Sequence, residues 1–486
     1  MDHVDVLIVG AGISGIGAAH HLLHERPGTT FTILESQAGY GGTWRTHKYP
    51  GVRSDSDLYT FGYAFKPWTG APIATAEEIL TYLGEVIDED GIDEHIHYEH
   101  QISDASWSTE ERRWTVSGTR TDTGEAFEVT AGFLWMCQGY YRHAEGYTPE
   151  WDGMADFTGE IVHPQTWPDE LDWAGKRIVV IGSGATAATL IPALAPTAEH
   201  VTMLQRSPTY FATGRNANDL ADQLRDLEIP EEWTHEIVRR QILKTQQLVT
   251  TMSAQHPDLV KEELFKGIKA ILGDDQDLSP HFTPAYRPWQ QRIAFVPDGD
   301  LFHGIKDGKA SVVTDRIARF TEKGILLESG EELFADIIVT ATGFDLSVMG
   351  DVAFTVDGAP LDFSQTVGYQ GTMFTGVPNM AWVFGYFRAS WTLRADLIAG
   401  FVCRLLAHME QQGASMVVPT LRPEDADMAV LPWVDPEDFN PGYLMRSLHL
   451  MPRQGDRPPW RFTQDYWAEK DEFPAIDLDD PALRYS

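Results

Sequence analysis

Val4 to Val9 is an almost wholly apolar run, the pattern of a short strand buried on both faces, and it opens directly into Gly10-Ala-Gly12-Ile-Ser14-Gly15. A helical pattern follows to about His24, and a second apolar run, Phe31 to Leu34, ends in Glu35. The order strand, glycine turn, helix, strand and acid predicts a dinucleotide-binding β-α-β unit. The pattern returns at Arg177 to Ile181, which leads into Gly182-Ser183-Gly184-Ala185-Thr186-Ala187 and then a strand at Val201 to Leu204. Ala187 in place of the third glycine is an allowed variant.

Between the two units, Thr75-Ala-Glu-Glu78 reads as a capping box opening a helix through about Ile87. Ile102 to Thr130 predicts a β-meander turning at Asp122-Thr-Gly124, followed by a separate buried strand, Phe133 to Cys137. The same layout recurs with turns at Lys323-Gly324 and Ser329-Gly330 and a strand from Asp336 to Thr340. Asn216 to about Gly273 is helical in pattern, and Leu393 to His408 is a further helix with Ser390 or Thr392 as its N-cap. The expected fold class is α/β, with two Rossmann-like dinucleotide-binding domains, the second inserted in the first. The first domain takes 1–145 and 344–486, the second 152–215 and 291–343, and 216–290 forms a helical insertion. The Pro- and aromatic-rich tail is expected to wrap the first domain.

The chain has 486 residues, 43% of them hydrophobic, which suffices for two or three buried cores. Against 37 Lys+Arg stand 72 Asp+Glu, a formal charge of −35, so nucleic acid and anionic lipid are repelled at long range. An anionic cofactor then needs local cations of its own. Two cysteines, Cys137 and Cys403, make neither a disulfide framework nor a vicinal redox pair, which argues against a disulfide reductase. No apolar run approaches the length that spans a bilayer, and the expected location is cytoplasmic.

Candidate chemistry sits on the glycine loops. Gly10 permits a tight turn, Gly12 lets the backbone approach a pyrophosphate, and Gly15 lets helix and strand pack closely. Glu35 is placed to accept the hydroxyls of an adenosine ribose. At the end of the corresponding strand in the second unit stands Gln205-Arg206-Ser207, where an arginine can pair with a 2′-phosphate, favouring NADP(H) over NAD(H). Gly41-Gly42-Thr43-Trp44 suits a loop lying along a flat ring system. A helix beginning near Ser390 would direct its positive end at an anionic group.

Two longer patterns carry a resemblance. Phe157-x-Gly159-x-x-x-His163-x-x-x-Trp167-Pro168, just upstream of the second glycine loop, resembles the fingerprint of type I Baeyer–Villiger monooxygenases. Gly41-Gly42-x-Trp44, then Tyr49-Pro50-Gly51 and Asp55, resembles a second pattern of that family, and Ser56 to Trp68 resembles its ethionamide-activating branch. The resemblance implies FAD in the first domain, touching Gly10, Gly12, Ser14, Gly15 and Glu35, then Gly42, Thr43, Trp44, Arg53, Ser54, Asp55 and Ile102. It implies NADPH at Gly182, Ser183, Gly184, Ala185, Thr186, Arg206 and Ser207. The implied activity uses NADPH and O2 to turn ketones into esters or lactones through a C4a-peroxyflavin, and sulfoxidation can accompany it. Arg292 would lie over the flavin with Asp55 as its partner, although Asp57 stands two residues away. Many members carry Lys before that arginine, whereas this chain has Gln291. His163 is expected as a hinge element in preference to a general base.

The alternatives are a flavin-containing monooxygenase acting mainly on sulfur or nitrogen nucleophiles, whose fingerprint lacks Trp-Pro, and a non-catalytic nucleotide-binding redox sensor, which has no use for Arg292. The aromatic segments suggest an apolar site for a ketone or thioether substrate.

Overall fold

The structure is a computed structural model and describes residues 3–486. Its larger sheet is organised on the strand His3–Val9, which pairs in parallel with Phe31–Leu34 on one side and Ala126–Met136 on the other. Helix Ile13–Glu25 connects the first two, the right place for it between parallel neighbours. The helix Ala76–Asp90 follows, and its capping box is formed: Thr75 accepts from the Glu78 N–H while the Glu78 carboxylate reaches back to the Thr75 N–H.

The strand Ala126–Met136 corrects one expectation. The last strand of the meander and the buried strand that follows it are one strand with two burial regimes, alternating up to Gly132 and continuously buried from Phe133. Along one edge its first half pairs with Arg113–Arg120, which pairs in turn with His100–Ser108, and its second half pairs in parallel with Met380–Trp382. That last pairing brings the C-terminal part of the chain back into the first sheet.

The second sheet is entirely parallel and lies between these two contributions in sequence. Its strands run in the order Ala310–Thr314, His200–Gln205, Arg177–Ile181, Ile337–Thr340 and Glu160–Val162. Glu160–Val162 belongs to the fingerprint, which therefore forms an edge of this sheet and then turns through Pro164–Thr166 into buried Trp167. The two crossings between the units, Tyr141–Gly146 and Phe344–Leu346, pair with each other as an antiparallel ribbon. The helical stretch resolves into Asp219–Asp226, Glu231–Gln255 and Pro257–Leu272. The fold is thus two Rossmann-like units, one interrupting the other.

The tail is structural. Trp433, Phe439 and Trp460 are at most 1% exposed, and Trp433 stacks obliquely on Trp382 of the first sheet, ring centres 5.7 Å apart. Arg394 of helix Trp391–Gln412 is fully buried; it donates to Glu469 of the tail at 2.9 Å and to the carbonyls of Gln370 and Phe384. Among the described residues no helix is long and apolar enough to cross a membrane. Cys137 and Cys403 are both buried and free, with burial pushing both thiols up, so neither is an accessible thiolate.

Candidate active site

A cavity of about 920 Å³ opens between the two units and reaches both glycine loops. Its size is that of a site for a large organic cofactor together with a small substrate. Gly10 and Gly182 occupy equivalent places, with φ of +98° and +127°, and a Cβ on either would run into a neighbouring backbone oxygen, of Cys137 or Ala341. The helices that follow begin at Ile13 and Ala185 behind Gly12 and Gly184, and neither N-terminus has a side-chain cap. A third uncapped N-terminus belongs to helix Trp391–Gln412. Ser390 holds its N-cap position, yet the Ser390 hydroxyl bonds to Thr60 Oγ1 at 2.8 Å, and Thr392 donates to the carbonyl of Phe61. Gly12, Gly184 and Trp391 all line the cavity, so three sets of free N–H groups and three positive helix ends face it or flank it.

The first loop is well prepared for a dinucleotide. Glu35 is 4% exposed and accepts from the N–H of Ala11 and of Gln37, both at 2.8 Å. Burial pushes its carboxyl up, and these hydrogen bonds work against that rise. Trp391 Nε1 donates to Ser14 Oγ at 2.8 Å, tying the helix after the tail crossing to the first glycine loop. Gly42, Thr43, Trp44, Ser54 and Ile102 line the same cavity, as do Gly10, Ser14 and Glu35. Gly15 does not: it is buried where a Cβ would stand 1.9 Å from the Gly10 carbonyl oxygen, so its work is packing. Buried polar atoms without a partner among the described residues include both ends of the Gln138 amide and His47 Nδ1, each on the cavity wall. Orphaned donors, uncapped helix ends and a glycine cradle fit FAD with its pyrophosphate and polar ring edge.

Arg292 also lines the cavity, with 36% of its side chain exposed, and donates to Asp55 Oδ2 at 3.4 Å. Asp57 is engaged elsewhere: it caps Leu58–Phe61 by accepting the Tyr59 N–H at 2.9 Å. Burial acts against the Arg292 charge, but Tyr443, the Asp55 carboxylate, Tyr140 and Tyr141 outweigh it and hold the guanidinium well above its ordinary value. Sequence reading did not single out these three tyrosines. Tyr140 and Tyr141 follow Gly139 at the end of the long strand, and Tyr443 comes from the tail, so only folding assembles them. Gln291 lines the cavity beside it, and its amide donates to Asn440 Oδ1 of the tail at 3.4 Å.

Arg53 lines the cavity as well, but one of its terminal nitrogens is taken by Asp300, 2.6 Å away across the two units, and the other is buried without a partner. The neighbouring Tyr49-Pro50-Gly51 turn also joins the units. Tyr49 is buried in the same core as Trp167, and a Cβ on Gly51 would stand 2.7 Å from Ala193 Cβ. In the second unit Gly184, Ala185 and Thr186 reach the cavity, whereas Gly182, Ser183, Arg206 and Ser207 do not. Ser183 bonds to Thr209 Oγ1 at 2.9 Å and to the Ser207 carbonyl, fixing the loop. Arg206 is exposed at the end of its strand and has no ion-pair partner among the described residues, leaving its guanidinium free.

Residues 4–256 match the pyridine nucleotide-disulphide oxidoreductase family. The whole chain is 45% identical to the FAD-containing monooxygenase EthA of Mycolicibacterium smegmatis, 97% of which is covered. It is 46% identical to EthA of Mycobacterium tuberculosis, again over the whole chain and 98% of the relative. Among solved structures, an oxidized steroid monooxygenase bound to NADP superposes with a TM-score of 0.78 at 25% identity, covering 99% of each chain. By sequence over its full length and by its two interleaved nucleotide-binding folds, the chain belongs to the FAD-containing monooxygenases, in the Baeyer–Villiger group that its fingerprint resembles.

Proposed function

We propose that the protein is an NADPH-dependent Baeyer–Villiger monooxygenase that converts ketones to esters or lactones, consuming one O2, one NADPH and one proton and releasing water and NADP+. The observation that carries this reading is the Arg292 guanidinium held by Asp55 on the wall of a cavity shared by both glycine loops. Segments 1–145 and 344–486 hold FAD, segments 152–215 and 291–343 hold NADPH, and 216–290 flanks them. The NADP named in the steroid monooxygenase structure and the free guanidinium of Arg206 support the phosphorylated nicotinamide.

FAD, once reduced by NADPH, supplies the electrons that activate O2. Arg292 holds a permanent positive charge where negative charge develops on oxygen during attack on the carbonyl carbon, and Asp55 fixes the direction of the guanidinium. The three uncapped helix ends bind and orient the anionic parts of both cofactors. Phe61, Tyr140, Phe344 and Tyr386 give the cavity apolar walls, which suit an uncharged ketone and exclude water from the reacting atoms. Two buried cysteines and the acidic surface agree with a cytoplasmic enzyme.

The test is incubation of the purified protein with NADPH, 18O2, a panel of linear, cyclic and aryl ketones and one thioether. Labelled ester or lactone is the expected product. Sulfoxide with no ester would transfer the chain to the sulfur- and nitrogen-oxygenating class, and NADPH consumption indifferent to every substrate would point to the redox sensor.

A further inference from the structure

Apart from the cavity, the helix Ile13–Glu25 carries His20 and His24 one turn apart on one face, and both rings point at one carboxylate. His20 Nδ1 lies 2.6 Å from Asp90 Oδ2, and His24 Nε2 lies 3.1 Å from Asp90 Oδ1. Ligand-capable atoms of the three residues all fall within 4.8 Å of one another. None of the three belongs to the cavity wall. His20 is firmly held: its ring stacks on Phe65 at 3.4 Å and 7°, and Phe65 stacks on Tyr63 at 4.6 Å and 13°. The His20 and Asp90 side chains are 16% and 14% exposed, while His24 is 58% exposed and leaves an open approach for an ion and its waters.

The local field calls for a cation. Asp90 is the last residue of helix Ala76–Asp90, where the backbone end is already negative, and the final turn contains no base. His24 lies in the last turn of its own helix, so two negative helix ends and a carboxylate meet at one point. The nearby Lys66 is committed to Glu85 and Glu89, at 3.2 and 2.6 Å.

We propose that His20, His24 and Asp90 form a binding site for a divalent transition-metal ion, with Zn2+ as the ion the donors fit best. Two imidazoles and one carboxylate are a borderline donor set suited to Zn2+, whereas Mg2+ and Ca2+ take oxygen ligands. The ion takes the place of the protons now shared between the rings and the carboxylate, and water completes its coordination. It clips the helix after the first glycine loop to the helix Ala76–Asp90 and stabilises the fold by binding it preferentially. The site is independent of the reaction assigned to the cavity.

Isothermal titration of the tag-free, EDTA-treated, FAD-loaded protein with Zn2+ tests the proposal, with thermal melting in parallel. One equivalent is expected to bind and raise the melting temperature. Removing even a supporting partner of a metal ligand costs about 10- to 100-fold in affinity, so His24→Ala and Asp90→Asn are each expected to lose at least that much. His21→Ala, which removes a ring paired with Glu25 and Asp396, is expected to bind as the wild type does. FAD content and circular dichroism establish that each variant is folded. No stoichiometric binding by the wild type, or unchanged affinity in both His24→Ala and Asp90→Asn, overturns the site.

Discussion

The His163 ring is laid against the backbone of Gly146 so closely that a Cβ on Gly146 would stand 1.9 Å from His163 Cε1. Gly146 ends one strand of the ribbon that joins the two units, and His163 follows the edge strand of the second sheet. The fingerprint histidine therefore bears on the crossing between domains. Burial lowers its pKa, outweighing the nearby Gly343 backbone and the charge of Asp345, which act to raise it. A ring neutral at pH 7 suits a packing and hydrogen-bonding role, with Nδ1 accepting the Gln165 N–H at 3.1 Å. In Gly146→Ala and in His163→Gln, NADPH oxidation is expected to outrun product formation, the coupled rate falling about 10- to 100-fold as reacting groups lose register. The pH optimum is expected to stay in place. Parallel assay of NADPH loss and labelled ester checks this, and a shifted optimum would assign the ring a proton-transfer role.

Arg292→Ala is expected to leave flavin reduction by NADPH measurable in stopped flow while ester formation drops about 10²- to 10³-fold, the scale for losing a charge aimed at a developing oxyanion. Asp55→Asn, which keeps a hydrogen-bonding partner 3.4 Å away, is expected to lose less. Ester formation at the wild-type rate in Arg292→Ala would remove Arg292 from the mechanism.

Arg206→Ala is expected to raise the KM for NADPH about tenfold or more, the loss of one charge-assisted pair, and to leave that for NADH unchanged. Steady-state kinetics with both nucleotides decides it. Equal effects on the two would place the guanidinium away from the 2′-phosphate.

Glu469→Ala is expected to destabilise the protein by about 3–5 kcal/mol, the cost of leaving a buried partner uncompensated. Arg394 and Glu469 have side-chain exposures of 0% and 4%, and Tyr386 also donates to Glu469, at 2.6 Å. Urea denaturation of the FAD-loaded protein measures it, and a midpoint unchanged from the wild type contradicts the role given to the tail.

Acid is expected to weaken the fold through His235, which is 2% exposed and accepts the Trp68 N–H on Nδ1 at 3.0 Å. Burial, aided by the charge of Arg239, pushes its pKa down to about 4 from 6.5. The unfolded chain therefore takes up a proton that the folded chain refuses, so this contribution is complete above pH 6.5 and is lost as pH falls toward 4. The full span corresponds to about 3 kcal/mol at most. Denaturation curves from pH 7 to 4 are expected to show a shallower slope in His235→Asn than in the wild type; an equal slope would mean the ring takes up its proton in the fold as readily as in the unfolded chain.

Much was legible in the sequence because it is carried by neighbours along the chain. Apolar runs of strand length, Gly10 and Gly182 in their turns, the Thr75–Glu78 capping box and the helix N-termini are local patterns whose geometry follows from a few adjacent residues. The division at Thr130 and Phe133 failed for the same reason: a change of burial along one strand looks, residue by residue, like the end of one element and the start of another. The glycine patterns also carry a second meaning that spacing cannot distinguish, since Gly15 and Gly51 serve close packing while Gly12 faces the cavity.

What the chain determined alone was the kind of protein: two nucleotide-binding folds, the acid and arginine that follow their second strands, and an oxygenase fingerprint. Tertiary structure decided the partners. It chose Asp55 over Asp57 for Arg292, set Tyr140, Tyr141 and Tyr443 around that guanidinium, gave Arg53 to Asp300, and gathered His20 and His24 onto Asp90. Each of these contacts joins groups tens to hundreds of residues apart, and their energy depends on distance and solvent exclusion, which no local pattern encodes.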